Sequence, residues 1–219
     1  MPASEHHLAV TRTARYHTLG DQSAAPREVW FVLHGHAQLS QFFIRHFAVL
    51  DDGTRLIVAP EGLNRFYLEG TGSHASAKSR VGATWMTRED RLADIADNVA
   101  YLDRLYQHVF ASVDRANVRV VVLGFSQGVA TACRWLCQGA ARADLVVLWA
   151  GPMPVDLEAS AAAPLRATRV VRVIGSADGL ADALPLETSL VERLGIQAEL
   201  IRFEGGHQLD AGVLKSLAK

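Results

Sequence analysis

The chain has 219 residues, of which 49% are hydrophobic and 21% are charged, and its formal net charge at pH 7 is −1. A chain of this length can bury one large core, so we expect a single domain over residues 1–219. The balanced charge and the lack of a Lys/Arg run argue against a protein that binds nucleic acid or anionic membrane surfaces.

The amino-terminal region and the cysteines predict a cytoplasmic protein. Residues 1–17 contain no apolar run like that of a secretory leader, and the chain has no stretch of about 20 apolar residues that could span a membrane. Cys133 and Cys137 lie four positions apart in an expected helix, where a disulfide fits poorly. Because no second ligand pair has zinc-site spacing, we interpret both as packing residues.

Short apolar runs rich in β-branched residues alternate with stretches of helical periodicity. Strands are predicted at 28–33, 55–59, 118–123, 145–149, 169–174 and 198–203, with a weak antiparallel edge over 8–19. Helices are expected after Ser40, after a capping pattern that Thr87 opens, after Ser126, and over 186–194 and 209–217. This order predicts an α/β fold, with a mostly parallel central sheet and helices on both faces.

The segment 62–85 does not fit this alternation. It is long, rich in glycine, and contains several aromatic and basic residues. Long loops inside compact domains are usually functional or disordered. We therefore expect an irregular loop here that lines or covers a pocket.

The most informative motif is Gly124-Phe125-Ser126-Gln127-Gly128, which follows a predicted strand and precedes a predicted helix. In this context the pattern G-x-S-x-G forms a strained turn that exposes the serine hydroxyl, and its glycines leave room around the serine. The alternative is a glycine-serine turn that matches the pattern by chance. A nucleophilic serine needs a histidine base that a carboxylate orients, so the motif predicts both residues elsewhere in the chain.

Asp178 follows the predicted strand 169–174, and His207 follows the predicted strand 198–203. This is the chain order serine, acid, histidine that α/β-hydrolases use, and all three residues fall at the carboxyl ends of strands. Asp182 is an alternative acid, but Asp178 is closer to the end of the strand. His207 alone among the nine histidines comes late enough and follows a strand.

Acyl transfer also needs backbone N–H groups that stabilise a negative oxygen. One donor should be Gln127, directly after the serine, and the other should come from the loop Leu33-His34-Gly35-His36-Ala37-Gln38, where His36 is the candidate. A metal site at His34 and His36 is the competing interpretation, although no carboxylate partner is suitably spaced.

With LHGHAQ, GFSQG, the Asp178 loop and GGHQ at 205–208, the chain resembles the α/β-hydrolase superfamily, specifically the phospholipase/carboxylesterase family that includes acyl-protein thioesterases. The resemblance implies Ser126, Asp178 and His207 as the catalytic triad, with the backbones of His36 and Gln127 as the oxyanion hole. That family commonly has a second glycine after LHG, where this chain has His36-Ala37.

The resemblance also implies an activity and a pocket. We expect a cofactor-independent, metal-free serine hydrolase that cleaves carboxylic esters, and thioesters as a further class, of small or medium acyl groups through an acyl-enzyme. Phe66, Tyr67 and Trp85 are candidate pocket walls. The expected partner is a small-molecule ester, with neither nucleic acid nor stable membrane insertion. The alternatives are a non-catalytic ligand-binding module on the same fold, or a hydrolase of amides or lactones.

Overall fold

Strands and helices alternate along the chain in a computed structural model that describes residues 3–21, 25–68 and 79–219. The strands are β1 (Tyr16–Leu19), β2 (Glu28–Leu33), β3 (Arg55–Pro60), β4 (Asn64–Tyr67), β5 (Val81–Thr84), β6 (Arg119–Phe125), β7 (Leu145–Trp149), β8 (Arg169–Gly175) and β9 (Ala198–Phe203). The α-helices are α1 (Ser40–Phe43), α2 (Arg91–Phe110), α3 (Gln127–Gln138), α4 (Ala163–Arg166), α5 (Leu184–Arg193) and α6 (Ala211–Leu217).

Seven of these strands form one sheet in the order β1-β3-β2-β6-β7-β8-β9. All neighbours pair in parallel except β1, which runs antiparallel to β3 at the edge. At the amino-terminal end of β2, the Glu28 carboxylate pairs with Arg55 of β3 at 2.6 Å and with Arg119 of β6 at 2.5 Å. These charge pairs join the three central strands in the observed register, and the prediction of a mostly parallel sheet is confirmed.

Apolar side chains fill both faces of the sheet. On one face, β2 and β6 pack with Val29, Phe31 and Val120 against α2, α3, α4 and α5. On the other face, Trp30 and Val121 belong to a buried cluster with residues of α6 and of the 3₁₀ helix Ile44–Leu50. The central strands are buried on both sides, which is why they appear in the sequence as continuous apolar runs instead of alternating ones.

Two local predictions need correction. The helix after Ser40 is α-helical only as far as Phe43 and continues as a 3₁₀ helix over Ile44–Leu50. The next helix begins at Arg91, and the Thr87 hydroxyl, predicted to cap it, instead accepts a hydrogen bond from the Glu89 N–H in the turn before it.

The segment 62–85 is also more regular than predicted. Its two ends, β4 and β5, pair as an antiparallel ribbon in which Asn64 lies opposite Thr84 and Tyr67 opposite Val81. The predicted pocket loop between them falls largely on residues 69–78, outside the described part of the chain. Asn64 of β4 donates to Asp94 of α2, and the hydroxyl of Thr84 of β5 donates to the Gln127 amide, so both strands are joined to the helices.

Within the described ranges, no helix combines the length and the apolar character needed to cross a membrane. The two cysteines are free thiols, Cys133 buried and Cys137 partly buried. Burial raises the pKa of the Cys137 thiol to about 11, so this group stays protonated at neutral pH.

Candidate active site

Ser126 lies at a sharp turn between β6 and α3. Its backbone has φ 54° and ψ −119°, which is unfavourable for a residue with a side chain and must be held by its surroundings. The Ser126 N–H donates to the Trp149 carbonyl oxygen over 2.8 Å. Gly124 and Gly128 permit the tight turn, since a Cβ on either would lie within 2.4 Å of a backbone oxygen. A turn of this kind presents the serine hydroxyl at the carboxyl end of the sheet.

The carboxyl ends of three more parallel strands meet at the same edge of the sheet. His36 follows β2, Asp178 follows β8 and His207 follows β9. In the sheet, β2 lies directly beside β6, and β8 and β9 lie on its other side beyond β7. The parallel strands therefore bring residues up to 171 positions apart in the sequence to one edge of the sheet. Open α/β sheets bind their ligands at this edge.

Asp178 and His207 form a hydrogen-bonded pair. The distance from His207 Nδ1 to Asp178 Oδ2 is 2.9 Å, and the Asp178 side chain is 2% exposed whereas that of His207 is 42% exposed. The second carboxylate oxygen accepts the Leu180 N–H at 2.9 Å. Because a carboxylate accepts, His207 Nδ1 carries the proton and Nε2 is left to take one from a substrate or nucleophile. Asp182, the alternative acid, is exposed in the turn that follows.

Backbone contacts between the acid loop and the histidine loop fix this pair. The Ser176 N–H donates to the Phe203 carbonyl oxygen and the Ala177 N–H to the Gly205 carbonyl oxygen, each at 2.8 Å. Gly175 makes this approach possible, because a Cβ at that position would lie 2.3 Å from the Gly205 carbonyl oxygen. The two loops thus continue the pairing of β8 and β9 beyond the sheet, and this pairing holds Asp178 and His207 next to each other.

The imidazole of His207 also contacts the turn at Ser126. Its ring centroid lies 5.0 Å from that of Phe125, the residue directly before the serine. Over the ranges that the structure describes, the Ser126 hydroxyl makes no hydrogen bond. Catalytic hydrogen bonds often tighten only when substrate is bound, so the open hydroxyl is compatible with nucleophilic attack.

The backbone N–H groups of His36 and Gln127 are the candidate donors to an anion. In the loop after β2, the Gly35 N–H donates to a side-chain amide of the same loop at 2.8 Å, and the Ala37 N–H donates to a carbonyl of β5 at 2.9 Å. The N–H of His36, between them, has no acceptor among the described residues. Gln127 opens α3, where N–H groups lack an intrahelical partner.

His34 has a structural role that the sequence did not reveal. Its side chain is fully buried and stacks on Trp85 with a centroid distance of 4.9 Å. The Gly62 N–H donates to Nε2 at 2.9 Å, so Nδ1 carries the proton and donates to the Gly35 carbonyl oxygen at 2.7 Å. Both ring nitrogens are therefore engaged in hydrogen bonds, which leaves His34 no free lone pair for a metal ion.

Glu61 holds together the elements that surround this loop. Its buried carboxylate pairs with Arg15 at 2.8 Å and with Arg65 at 2.7 Å. It also accepts the N–H and the hydroxyl of Ser40, both at 3.1 Å. Since Gly62, the next residue, bonds to the imidazole of His34, Glu61 connects β4, α1 and the residue before β1 to the candidate oxyanion loop.

Comparison with known proteins identifies the family. Residues 30–209 match the model of a family described as "Serine hydrolase (FSH1)". The chain belongs to the FSH1 serine hydrolase family. This membership confirms the prediction of an enzyme that is a serine hydrolase, and it decides against a non-catalytic binding module. No curated protein matches the chain in sequence.

Solved structures similar to this FSH1 family member confirm the α/β-hydrolase fold. A carboxylesterase from Mesorhizobium loti aligns with a TM-score of 0.69 and 19% identity over 93% of each chain. Acyl-protein thioesterase 2 from Zea mays aligns with a TM-score of 0.67 and 15% identity, over 94% of this chain and 96% of that one. Esterase PE8 aligns with a TM-score of 0.66 and 20% identity, over 94% of this chain and 97% of that one.

The candidate pocket residues of this serine hydrolase occupy different environments. Phe66 stacks on His36, with centroids 5.1 Å apart, and Tyr67 is 57% exposed on the same strand. Trp85 is only 1% exposed, and its indole N–H donates to the His34 carbonyl oxygen at 2.8 Å, so it supports the loop after β2 from within the core.

A pocket that the sequence did not predict opens beside the turn at Ser126. Its cavity volume is about 10 Å³, and it borders Gly151, Arg172, Leu180 and Leu200. Gly151 lies directly against the serine, because a Cβ there would come within 2.1 Å of the Ser126 carbonyl oxygen. The pocket is therefore next to both the serine and the acid loop.

Proposed function

We propose that this enzyme hydrolyses carboxylic esters through Ser126, with His207 as the base and Asp178 as its orienting acid. The observation that carries the proposal is the 2.9 Å bond between His207 Nδ1 and the buried Asp178, packed beside the strained serine turn. A serine hydrolase needs these three roles at one place, and the carboxyl edge of the sheet provides a candidate for each.

In the acylation step, Ser126 Oγ attacks the carbonyl carbon of the ester while His207 Nε2 takes the hydroxyl proton. The resulting oxyanion accepts hydrogen bonds from the N–H groups of His36 and Gln127. Collapse of this intermediate breaks the bond to the alkoxy group, which leaves as an alcohol with the proton from His207. Asp178 keeps the imidazole in the required tautomer and stabilises its cation.

In the second step, His207 removes a proton from water, and the resulting hydroxide attacks the acyl-enzyme carbonyl. The bond to Ser126 Oγ then breaks, the serine regains its proton from His207, and the carboxylic acid is released. The same steps cleave a thioester, with a thiol as the leaving group. Neither step calls for a cofactor or a metal.

The surroundings of the serine favour small or medium acyl groups. Phe66 provides an apolar face next to His36, and the pocket beside Gly151 is bordered by Leu180 and Leu200. Its cavity volume is only about 10 Å³, room for about one methyl-sized group, so the pocket suits a short acyl chain better than a long lipid. We propose that Phe66 and this pocket contact the two sides of the ester.

The test is hydrolysis of p-nitrophenyl esters from acetate to octanoate by the wild type and by three variants. Ser126→Ala should lower kcat/KM by at least about 10³-fold, and Asp178→Asn by about 10²-fold to 10⁴-fold because it disturbs the imidazole tautomer. His207→Ala should resemble the serine variant. Activity should decline for the longest chains if the small pocket limits acyl length.

Ser216→Ala is the matched control, because this exposed serine bonds only to a carbonyl within its own helix. A fluorophosphonate should label the wild type and the Ser216 variant at Ser126, and it should leave Ser126→Ala unlabelled. Full ester hydrolysis by Ser126→Ala would contradict the proposal.

We also propose that the enzyme works in the cytoplasm. Cys133 and Cys137 lie four positions apart on α3, where a disulfide between them fits poorly, and this suits a reducing compartment. Fractionation of the source cells, with detection by the fluorophosphonate label, would test this location.

A further inference from the structure

The two proposed oxyanion donors lie on elements 91 positions apart in the sequence, and one short segment, 83–86, bonds to both. At one side, the Ala37 N–H donates to the Ala83 carbonyl oxygen at 2.9 Å, and the Ala83 N–H donates to the Gln38 carbonyl oxygen at 3.2 Å. This two-way bridge holds the peptide directly after His36. Gly82 permits the contact, because a Cβ there would lie 2.6 Å from the Ala37 carbonyl oxygen.

At the other side, the segment bonds to the side chain of Gln127. Oε1 of Gln127 accepts the Trp85 N–H at 3.1 Å, and Nε2 donates to the Met86 carbonyl oxygen at 2.9 Å. These partners fix the orientation of the amide, because a backbone N–H can only donate and a carbonyl can only accept. The Thr84 hydroxyl lies within hydrogen-bond distance of both amide atoms, at 3.0 Å and 2.9 Å.

We propose that the Gln127 side chain is a positioning residue, which sets the separation and orientation of the two oxyanion donors. This inference rests on the proposed function, because it concerns the same oxyanion hole. The backbone N–H of Gln127 is one donor, and its amide fastens that residue to the segment 83–86. The same segment fastens the loop that carries the N–H of His36, so neither donor can shift without straining these bonds.

The consequence is specific to the transition state. A ground-state carbonyl tolerates loosely placed donors, whereas an oxyanion gains most from donors that are already in place. Loss of the Gln127 amide should therefore weaken stabilisation of the tetrahedral intermediate and leave ground-state binding unchanged. Removing a whole oxyanion donor costs about 10²-fold to 10³-fold in kcat, so misplacing one should cost about 10-fold to 10²-fold.

The test uses Gln127→Met, which keeps the length of the side chain and removes both hydrogen-bonding atoms. We expect kcat to fall by about 10-fold to 10²-fold with KM within about twofold of the wild type. An alkyl boronic acid, which forms a tetrahedral adduct with the serine, should lose affinity by the same factor as kcat/KM. A planar amide analogue of the best ester should bind as well as it binds the wild type.

Gln138→Met is the matched control, because it makes the same chemical change at an exposed glutamine that ends the same helix. Gln127→Glu provides a second variant of nearly identical shape, which keeps the acceptor for Trp85 and replaces the donor to Met86 with an oxygen. Thermal unfolding and circular dichroism establish that each variant is folded. If Gln127→Met does not fold, the same comparison is made with Gln127→Glu.

Unchanged kcat in a folded Gln127 variant would overturn the inference, and so would equal losses of affinity for the boronic acid and the planar analogue, which indicate general damage to the site. These outcomes are distinct from failure of the proposed function. If Ser126→Ala retains activity, the proposed nucleophile is wrong, whatever Gln127 does. If Ser126→Ala is inactive and Gln127→Met is fully active, only the positioning role is lost.

Discussion

Acidification should destabilise this protein through His34. Burial lowers the pKa of His34 from its ordinary value of 6.5 to about 4, because charging the ring inside the core is unfavourable. The unfolded chain takes up the proton near pH 6.5, whereas the folded protein holds the ring neutral down to about pH 4. Between these values the unfolded state binds more protons, so the free energy of unfolding falls as the pH falls.

The magnitude follows from the two pKa values. Each pKa unit of difference corresponds to about 1.4 kcal/mol, so the full contribution of His34 is about 3 kcal/mol once the pH is below 4. Between pH 7 and pH 5 the expected loss is about 2 kcal/mol. Urea unfolding at pH 7, 6 and 5, followed by tryptophan fluorescence, measures this loss directly.

The comparison that isolates His34 uses His34→Gln, which cannot titrate. Its free energy of unfolding should be lower than that of the wild type at pH 7, but it should decline less by about 2 kcal/mol between pH 7 and pH 5. His6→Gln, at an exposed position near the amino terminus, is the control and should keep the wild-type pH dependence. The reasoning is refuted if the wild type and His34→Gln lose the same free energy over this interval.

Three further substitutions test contacts around the site. Gly128→Ala should destabilise the fold by about 3 kcal/mol, because the new Cβ would lie 2.2 Å from the Leu33 carbonyl oxygen; an unchanged melting temperature in calorimetry would contradict this. Ala37→Gly should raise the free energy of unfolding by up to about 1 kcal/mol, because Ala37 has φ 65°; urea unfolding checks the sign. Glu61→Gln should lower the free energy of unfolding by about 2 kcal/mol, because it removes the buried carboxylate that pairs with Arg15. A cost below about 0.5 kcal/mol in urea unfolding would argue against this role of Glu61.

Periodicity and turn chemistry predicted the order of the six parallel strands, but not the β4–β5 ribbon or the short helix α4. The runs 28–33, 145–149 and 198–203 are strands with the predicted bounds. The prediction was less accurate where local signals competed. Thr87 matched a capping pattern, yet α2 starts at Arg91. The Thr87 N–H instead donates to the Asp94 carboxylate in the first turn of that helix.

The residues of the candidate site could also be predicted where the signal was local, and less well where it was not. Ser126 could be predicted from five adjacent residues, because a tight turn between strand and helix imposes a local requirement for glycine. Asp178 and His207 followed from their positions after strands, since parallel strands end at one edge of the sheet. The choice of Asp178 over Asp182 was less certain in the sequence, and the structure places Asp178 at 2.9 Å from the imidazole.

By itself, the sequence determined the α/β architecture and the residues that belong at the carboxyl edge of the sheet, because strands, helices and tight turns depend on near neighbours in the chain. Only the tertiary structure decided that His34 and Trp85 support the loop after β2 from within the core, and that the Gln127 amide joins α3 to the segment 83–86. These contacts connect residues 28 to 51 positions apart, and no local periodicity encodes which polar groups will meet when both faces of the sheet are packed.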